Sequence, residues 1–259
     1  MKKMLRSLSA LALVLASSAS LAGQLPIFTG WTVFGSEDQT GTGEYKLTPG
    51  VGGQKFDAEY LFYKLNGNKL SIGLQTGFDI ISDIGQYRAN DRYYFGGDLA
   101  LSFDGNKSNY EYAIDFGNLT KNYAGTKKIN AQSNNTSGVD TAGLYKANSW
   151  NNDIWFGESA PYSVSNGSLL LAADNGNFSQ GSAANGYKSD ISYFTMFTFD
   201  LSNITGLQPN FVLDAHWTMS CGNDAIDGHV ALAKVPEPSP ILLFVLGLVG
   251  LVIARRKLK

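Results

Sequence analysis

Tyr110-Glu111-Tyr112-Ala113-Ile114-Asp115-Phe116 puts Tyr110, Tyr112, Ile114 and Phe116 on one side and Glu111, Ala113 and Asp115 on the other. A period of two marks a half-buried strand, because successive side chains of an extended chain point to opposite faces. Upstream, Asp104-Gly105-Asn106 is turn chemistry, and Arg92–Phe103 beyond it is a second extended run. The same pattern repeats outward. Glu59–Leu65 and Lys69–Thr76 flank Asn66-Gly67-Asn68, and Asn-Gly between such runs predicts a hairpin. Phe78–Ser82 continues that unit or adds a strand. Ser168–Ala173, Ile191–Asp200, Asn210–Ser220 and His229–Lys234 read as four more strands. In Ile191–Asp200 both faces are apolar, with Phe194 and Met196 on one and Phe197 and Phe199 on the other, so a central strand covered twice is expected. Gly23–Gly53 reads as one strand and then loop.

Asn118–Asp153 breaks the pattern. It is dominated by Asn, Ser, Thr, Gly and Lys, and reads as a long surface excursion docked at its exit by Trp150 and Trp155. No amphipathic helix is legible between Gly23 and Lys234. Many short strands with Gly and Asn turns predict an all-β fold, an antiparallel β-sandwich or jelly-roll-like domain over residues 23–234.

The two ends of the chain differ from this body. Met1-Lys2-Lys3-Met4-Leu5-Arg6 is basic, Leu8–Ala16 is an apolar stretch, and Ser20-Leu21-Ala22 offers small residues for cleavage after Ala22. This is the pattern of a secretory signal peptide over residues 1–22, cut by signal peptidase. At the other end, Val235-Pro236-Glu237-Pro238-Ser239-Pro240 is extended and a poor partner for a sheet, since each proline fixes φ and lacks an N–H. Ile241–Ala254 follows without one polar side chain, and Arg255, Arg256, Lys257 and Lys259 close the chain. Fourteen residues give about 21 Å of helix against a hydrocarbon core of about 30 Å, short for a span and apolar all round. Terminal arginines can snorkel and a bilayer can thin, so a transmembrane helix at 241–254 is expected, with the basic end in the cytoplasm.

Pro-Glu-Pro, a short apolar helix and an Arg-rich end together resemble the PEP-CTERM sorting signal of Gram-negative bacteria, a segment also labelled an ice-binding-protein C-terminal motif. The resemblance covers residues 235–259. It implies that exosortase, a membrane cysteine transpeptidase, reads Pro236, Glu237 and Pro238, with Arg255 and Arg256 closing the signal, and removes the helix. Gly97-Asp98-Leu99, Tyr110–Phe116 and Asp214–Asp224 also look like domains found on exosortase-dependent surface proteins. Those families imply a location and a fold but no reaction.

Outside the two ends the chain keeps thirteen basic and twenty-one acidic residues, a balance of −8. An acidic exported domain is a poor partner for nucleic acid or anionic lipid. Cys221 is the only cysteine, so no disulfide staples the body.

Three constellations invite chemistry. Asp104, Asn106, Ser108 and Asp115 fall at positions one, three, five and twelve of a calcium-loop spacing. Position six is Asn109 rather than Gly, and Tyr110–Phe116 reads as strand, so Asp104, Asn106 and Asp115 read first as turn and strand residues. His216 and Cys221 could suggest a thiol dyad, but opposite parity puts them on opposite faces; Asp214 and His216 share one. With two histidines in the chain, a three-His zinc site is impossible. Trp150 and Trp155 are candidate glycan contacts. The expectation is an exported surface or extracellular-matrix protein associated with exopolysaccharide, not an enzyme, with no cofactor. A glycan-binding module is the alternative, and a secreted hydrolase using Asp214, His216 or Cys221 the next.

Overall fold

The computed structural model describes residues 23–36, 53–82, 86–88, 91–123, 138–186 and 190–234. The expected signal peptide with Ala22, and everything from Val235 onward including Ile241–Ala254, lie outside the described residues. Among those residues no helix is long and apolar enough to cross a membrane, and helical turns are short 3₁₀ pieces.

Thirteen strands are described: β1 Thr32–Ser36, β2 Ala58–Asn66, β3 Lys69–Thr76, β4 Gln86–Arg88, β5 Arg92–Tyr94, β6 Leu99–Ser102, β7 Tyr112–Asp115, β8 Gly143–Asn151, β9 Ser163–Ala172, β10 Phe178–Ala184, β11 Ile191–Asp200, β12 Asn210–Thr218 and β13 Ala225–Ala233. They form a five-stranded sheet, β1-β2-β3-β11-β10, a six-stranded sheet, β13-β12-β6-β7-β8-β9, and the small β4-β5 pair. Every ladder is antiparallel. Leu61, Leu70, Ile72, Leu74, Phe197 and Phe199 of one large sheet and Leu99, Leu101, Ile114, Leu144, Leu213 and Trp217 of the other share one apolar cluster. The body is therefore an all-β, sandwich-like structure whose core is the set of inward positions of two sheets, as period-two patterning requires.

The Asn66-Gly67 turn forms where expected, with Gly67 at φ 59°, a conformation that favours glycine. β11 runs over Ile191–Asp200 between β3 and β10, with Phe197 and Phe199 in the main core. Its other face carries Phe194 and Met196 against a second cluster built on Phe28 and Phe62.

Several expectations need correction. Phe78–Ser82 is not a strand; Phe78 and Ile80 plug the core from a turn. Arg92–Phe103 splits into β5 and β6, with Gly96 and Gly97 between; a Cβ on Gly97 would lie 2.1 Å from Tyr162 O, so only glycine lets the two backbones approach there. β7 is buried on both faces, not one: Ala113 packs with Tyr145 and Val164 on the side away from the main core. Asn118–Asp153 is not all loop, since β8 occupies its last third; three register shifts against β9 erase the alternation that would reveal it. β10 escaped notice because Phe178–Ala184 is mostly small residues on a sheet edge.

Candidate functional site

The outer face of the six-stranded sheet carries the chemistry. Phe211, Leu213, Ala215 and Trp217 of β12 point into the core, so Asp214 and His216 point away from it. On β13 the residues opposite them are His229 and Asp227. The result is two neighbouring rungs of reversed polarity. His229 Nδ1 lies 2.6 Å from Asp214 Oδ1, and His216 Nδ1 lies 2.8 Å from Asp227 Oδ1. His216 Nε2 also lies 2.8 Å from Ser159 O. Both His216 nitrogens are thus engaged, one by a carboxylate and one by a backbone carbonyl. The His216 hydrogen bond holds the Asp227 carboxyl below its usual range, against burial.

The segment joining β6 to β7 folds over this face. Lys107 Nζ reaches to 3.8 Å from Asp214 Oδ1, and the Tyr110 ring sits 6.0 Å from the His216 ring at 34°. Trp150 of β8 donates its indole N–H to Tyr110 O at 2.9 Å. Burial, then Asp227 and Asp214, push the Tyr110 hydroxyl well above the ordinary phenol range, so it stays neutral. Lys107, Tyr110, Trp150, His216 and Asp227 line a cleft of about 450 Å³, closed on other sides by Asn109, Asn152, Glu158 and Pro161. The second Asp214 oxygen, Oδ2, is buried and takes no hydrogen bond among the described residues.

The other residues named from sequence lie elsewhere. Asp104 Oδ1 accepts from Ser102 Oγ at 2.9 Å and from Asn106 N at 2.8 Å, and Asn106 Oδ1 accepts from Ser108 N at 3.1 Å. These are Asx turns in a surface connection. Leu101 pairs with Tyr112 and Leu99 with Ile114, so Asp115 lies near the Asp98 end of the ladder, roughly 20 Å along it from Asp104. The calcium spacing does not become a site. Among the described residues no group of three His, Cys, Asp or Glu side chains could hold a metal ion. Trp155 does not line the cleft. It is 49 % exposed, stacks on Phe156, and meets Tyr123, whose ring carries the Arg92 guanidinium at 3.9 Å. Cys221 is buried beyond β12, its thiol donating to Asn223 Oδ1.

Two features were not read from the sequence. Asp104 and Glu111 border a larger cleft, about 890 Å³, lined mainly by apolar residues between β12, β13 and Ile204–Gln208. Burial raises Glu111, and Asp104 adds to it, while the Asn106 N–H holds Asp104 low. Beneath β8 and β9 lies an acidic cluster. Asp98 accepts from Val164 N at 2.7 Å, Asp115 from Gly117 N at 2.6 Å, and Asp140 from Thr120 N at 3.0 Å. Burial raises Asp98 strongly, with Asp115 adding, and pushes Asp115 up to about 8. An aspartate inside an alternating strand gives no sign that its outward face will be covered.

Pro236, Glu237, Pro238, Arg255 and Arg256 fall outside the described residues. Comparison with curated proteins and with solved structures finds no match. Residues 234–257 match the family model of the PEP-CTERM protein-sorting motif, and the chain therefore carries the sorting signal of an exosortase-processed, exported protein.

Proposed function

We propose that the chain is an exported surface or extracellular-matrix protein whose precursor waits in the inner membrane and whose released body associates with exopolysaccharide. A signal peptide over residues 1–22 takes it across; Ile241–Ala254 holds it; exosortase reads Pro236-Glu237-Pro238 and frees it. The matched motif at 234–257 carries this reading. Two further facts support it. Gly23, next after the expected cut, donates its N–H to Asn185 O at 3.0 Å, and Leu25 N is held by Gln75 Oε1 at 2.9 Å, so the body is tied in from its first residues. The body has a single cysteine, Cys221, so no disulfide forms within it, and it relies on a two-sheet core.

We read the body as non-catalytic. Both His216 nitrogens are engaged, with Asp227 and with Ser159 O, and the Cys221 thiol is engaged with Asn223 Oδ1, which supports this reading. A second reading, a glycan-binding module, is favoured by the aromatic and polar cleft at Tyr110 and Trp150. The test of the main reading is mass spectrometry of the native protein from exosortase-positive and exosortase-deleted cells. Loss of the apolar tail only in the former is expected. A polypeptide that still ends in Lys259 in both, and leaves membranes with salt alone, overturns it.

A further inference from the structure

We propose that the cleft between Tyr110 and Trp150 is a binding site for a neutral, hydroxyl-rich sugar unit of a polysaccharide. The inference rests on the matrix-association reading above and gives it a place on the molecule.

A pyranose ring offers a C–H face and a rim of hydroxyls. Its complement is an aromatic surface beside planar polar side chains, the mix of apolar wall and few placed polar groups found in small-ligand sites. Tyr110 and Trp150 supply the aromatic part, and Asn109, Asn152, Glu158 and Asp227 the donors and acceptors. The volume, about 450 Å³, falls in the range of about 300–1,000 Å³ typical of ligand clefts.

The aromatic walls are fixed before a ligand arrives. The Trp150 indole is locked onto Tyr110 O, and Tyr110 lies over His216, itself held at both nitrogens by Asp227 and Ser159. Fixed rings lose little freedom on binding, which favours affinity.

The charge pattern selects the class of sugar. Lys107 and His216 face Glu158 and Asp227, so the cleft has no surplus of positive charge to hold a uronate or sulfate. The body around it carries −8, and so repels a polyanion.

The test uses the full chain purified in detergent and titrated calorimetrically with cellohexaose, laminarihexaose and isomaltohexaose, against oligo-alginate and oligogalacturonate. Saturable binding of at least one neutral probe is expected, and little or none of the uronates. Trp150→Ala should weaken the neutral probe at least tenfold, while Trp150→Phe, which keeps a ring, should stay within about threefold. Unchanged far-UV circular dichroism and melting in Trp150→Phe and Glu158→Gln keep the result readable if Trp150→Ala unfolds. Glu158→Gln should weaken neutral binding severalfold. Failure of every neutral probe to bind, tighter binding of uronates, or equal affinity in the cleft variants overturns the proposal. Co-sedimentation of the mature protein with native matrix separates the two readings. If wild-type and Trp150→Ala proteins sediment alike, matrix association stands and the cleft falls. If neither sediments while the calorimetric pattern holds, the cleft stands and matrix association falls.

Discussion

Asp115 shows how far a single side chain can depart from its sequence reading. Alternation gave it to the wet side of a half-covered strand, and a calcium spacing gave it a ligand role; it is buried, with Oδ2 unpaired. Its folded pKa of about 8 stands above the ordinary 3.8, mainly through burial, so folding favours the protonated acid. Its stabilising contribution is complete below pH ~4 and is lost as pH rises to ~8, the reverse of ordinary acid denaturation. Asp98 moves in the same direction. Denaturation free energies should therefore fall between about pH 4 and 8, and Asp115→Asn should flatten the slope; a rising or unchanged slope refutes this. His216→Phe makes a second test at this scale. It leaves Ser159 O without this partner while water takes over at the exposed Asp227, and should destabilise by about 1–2 kcal/mol by urea titration, whereas no loss would mean that the buried contact is not made. No short motif joins His216 to Asp227 and Ser159. They meet through a ladder register and a distant turn, which explains why the pair on one strand, Asp214 and His216, was visible and the true partners across the ladder were not.

At the scale of elements, the seam between the sheets depends on two glycines. Gly35 of β1 lies so close to β13 that a Cβ there would sit 2.6 Å from Asp227 O, and one on Gly228 would sit 2.5 Å from the Phe34 ring. The first clash is with backbone, which cannot swing aside. Gly35→Ala should cost about 1–3 kcal/mol, seen as a melting point lower by several degrees, and an unaltered melting point would disprove the close approach. Hairpins bounded by Asn-Gly and strands rich in Phe and Ile were legible because local chemistry sets them. β8 and β10 were not, since one is read through register shifts and the other is a small-residue edge whose pairing partner, β11, lies beyond a connecting turn. The double coverage of β7 depends on Ala113 meeting Tyr145 and Val164, a contact of tertiary origin.

For the whole molecule, the C-terminal sorting motif was more legible than the middle. A sorting enzyme demands a linear motif, and a linear motif leaves its mark in sequence. A cleft assembled from β8, β12, β13 and two connections leaves none. Glu237→Ala should abolish processing while leaving the body folded, so that intact precursor accumulates in membranes; a normal mature size on immunoblots would rule the motif out as the signal. The last strand adds a geometric consequence. β13 ends at Ala233, Lys234 N is pinned to Pro209 O at 2.8 Å, and the matched motif begins at 234. Even drawn taut, Val235–Pro240 reaches at most about 20 Å, so whatever grips the matched motif holds the body within that distance. Asp227 stands near the opposite end of β13 from Lys234, roughly 20 Å further along the strand. The sorting handle and the proposed cleft thus sit at opposite ends of one strand, so an enzyme that grips the first need not touch the second.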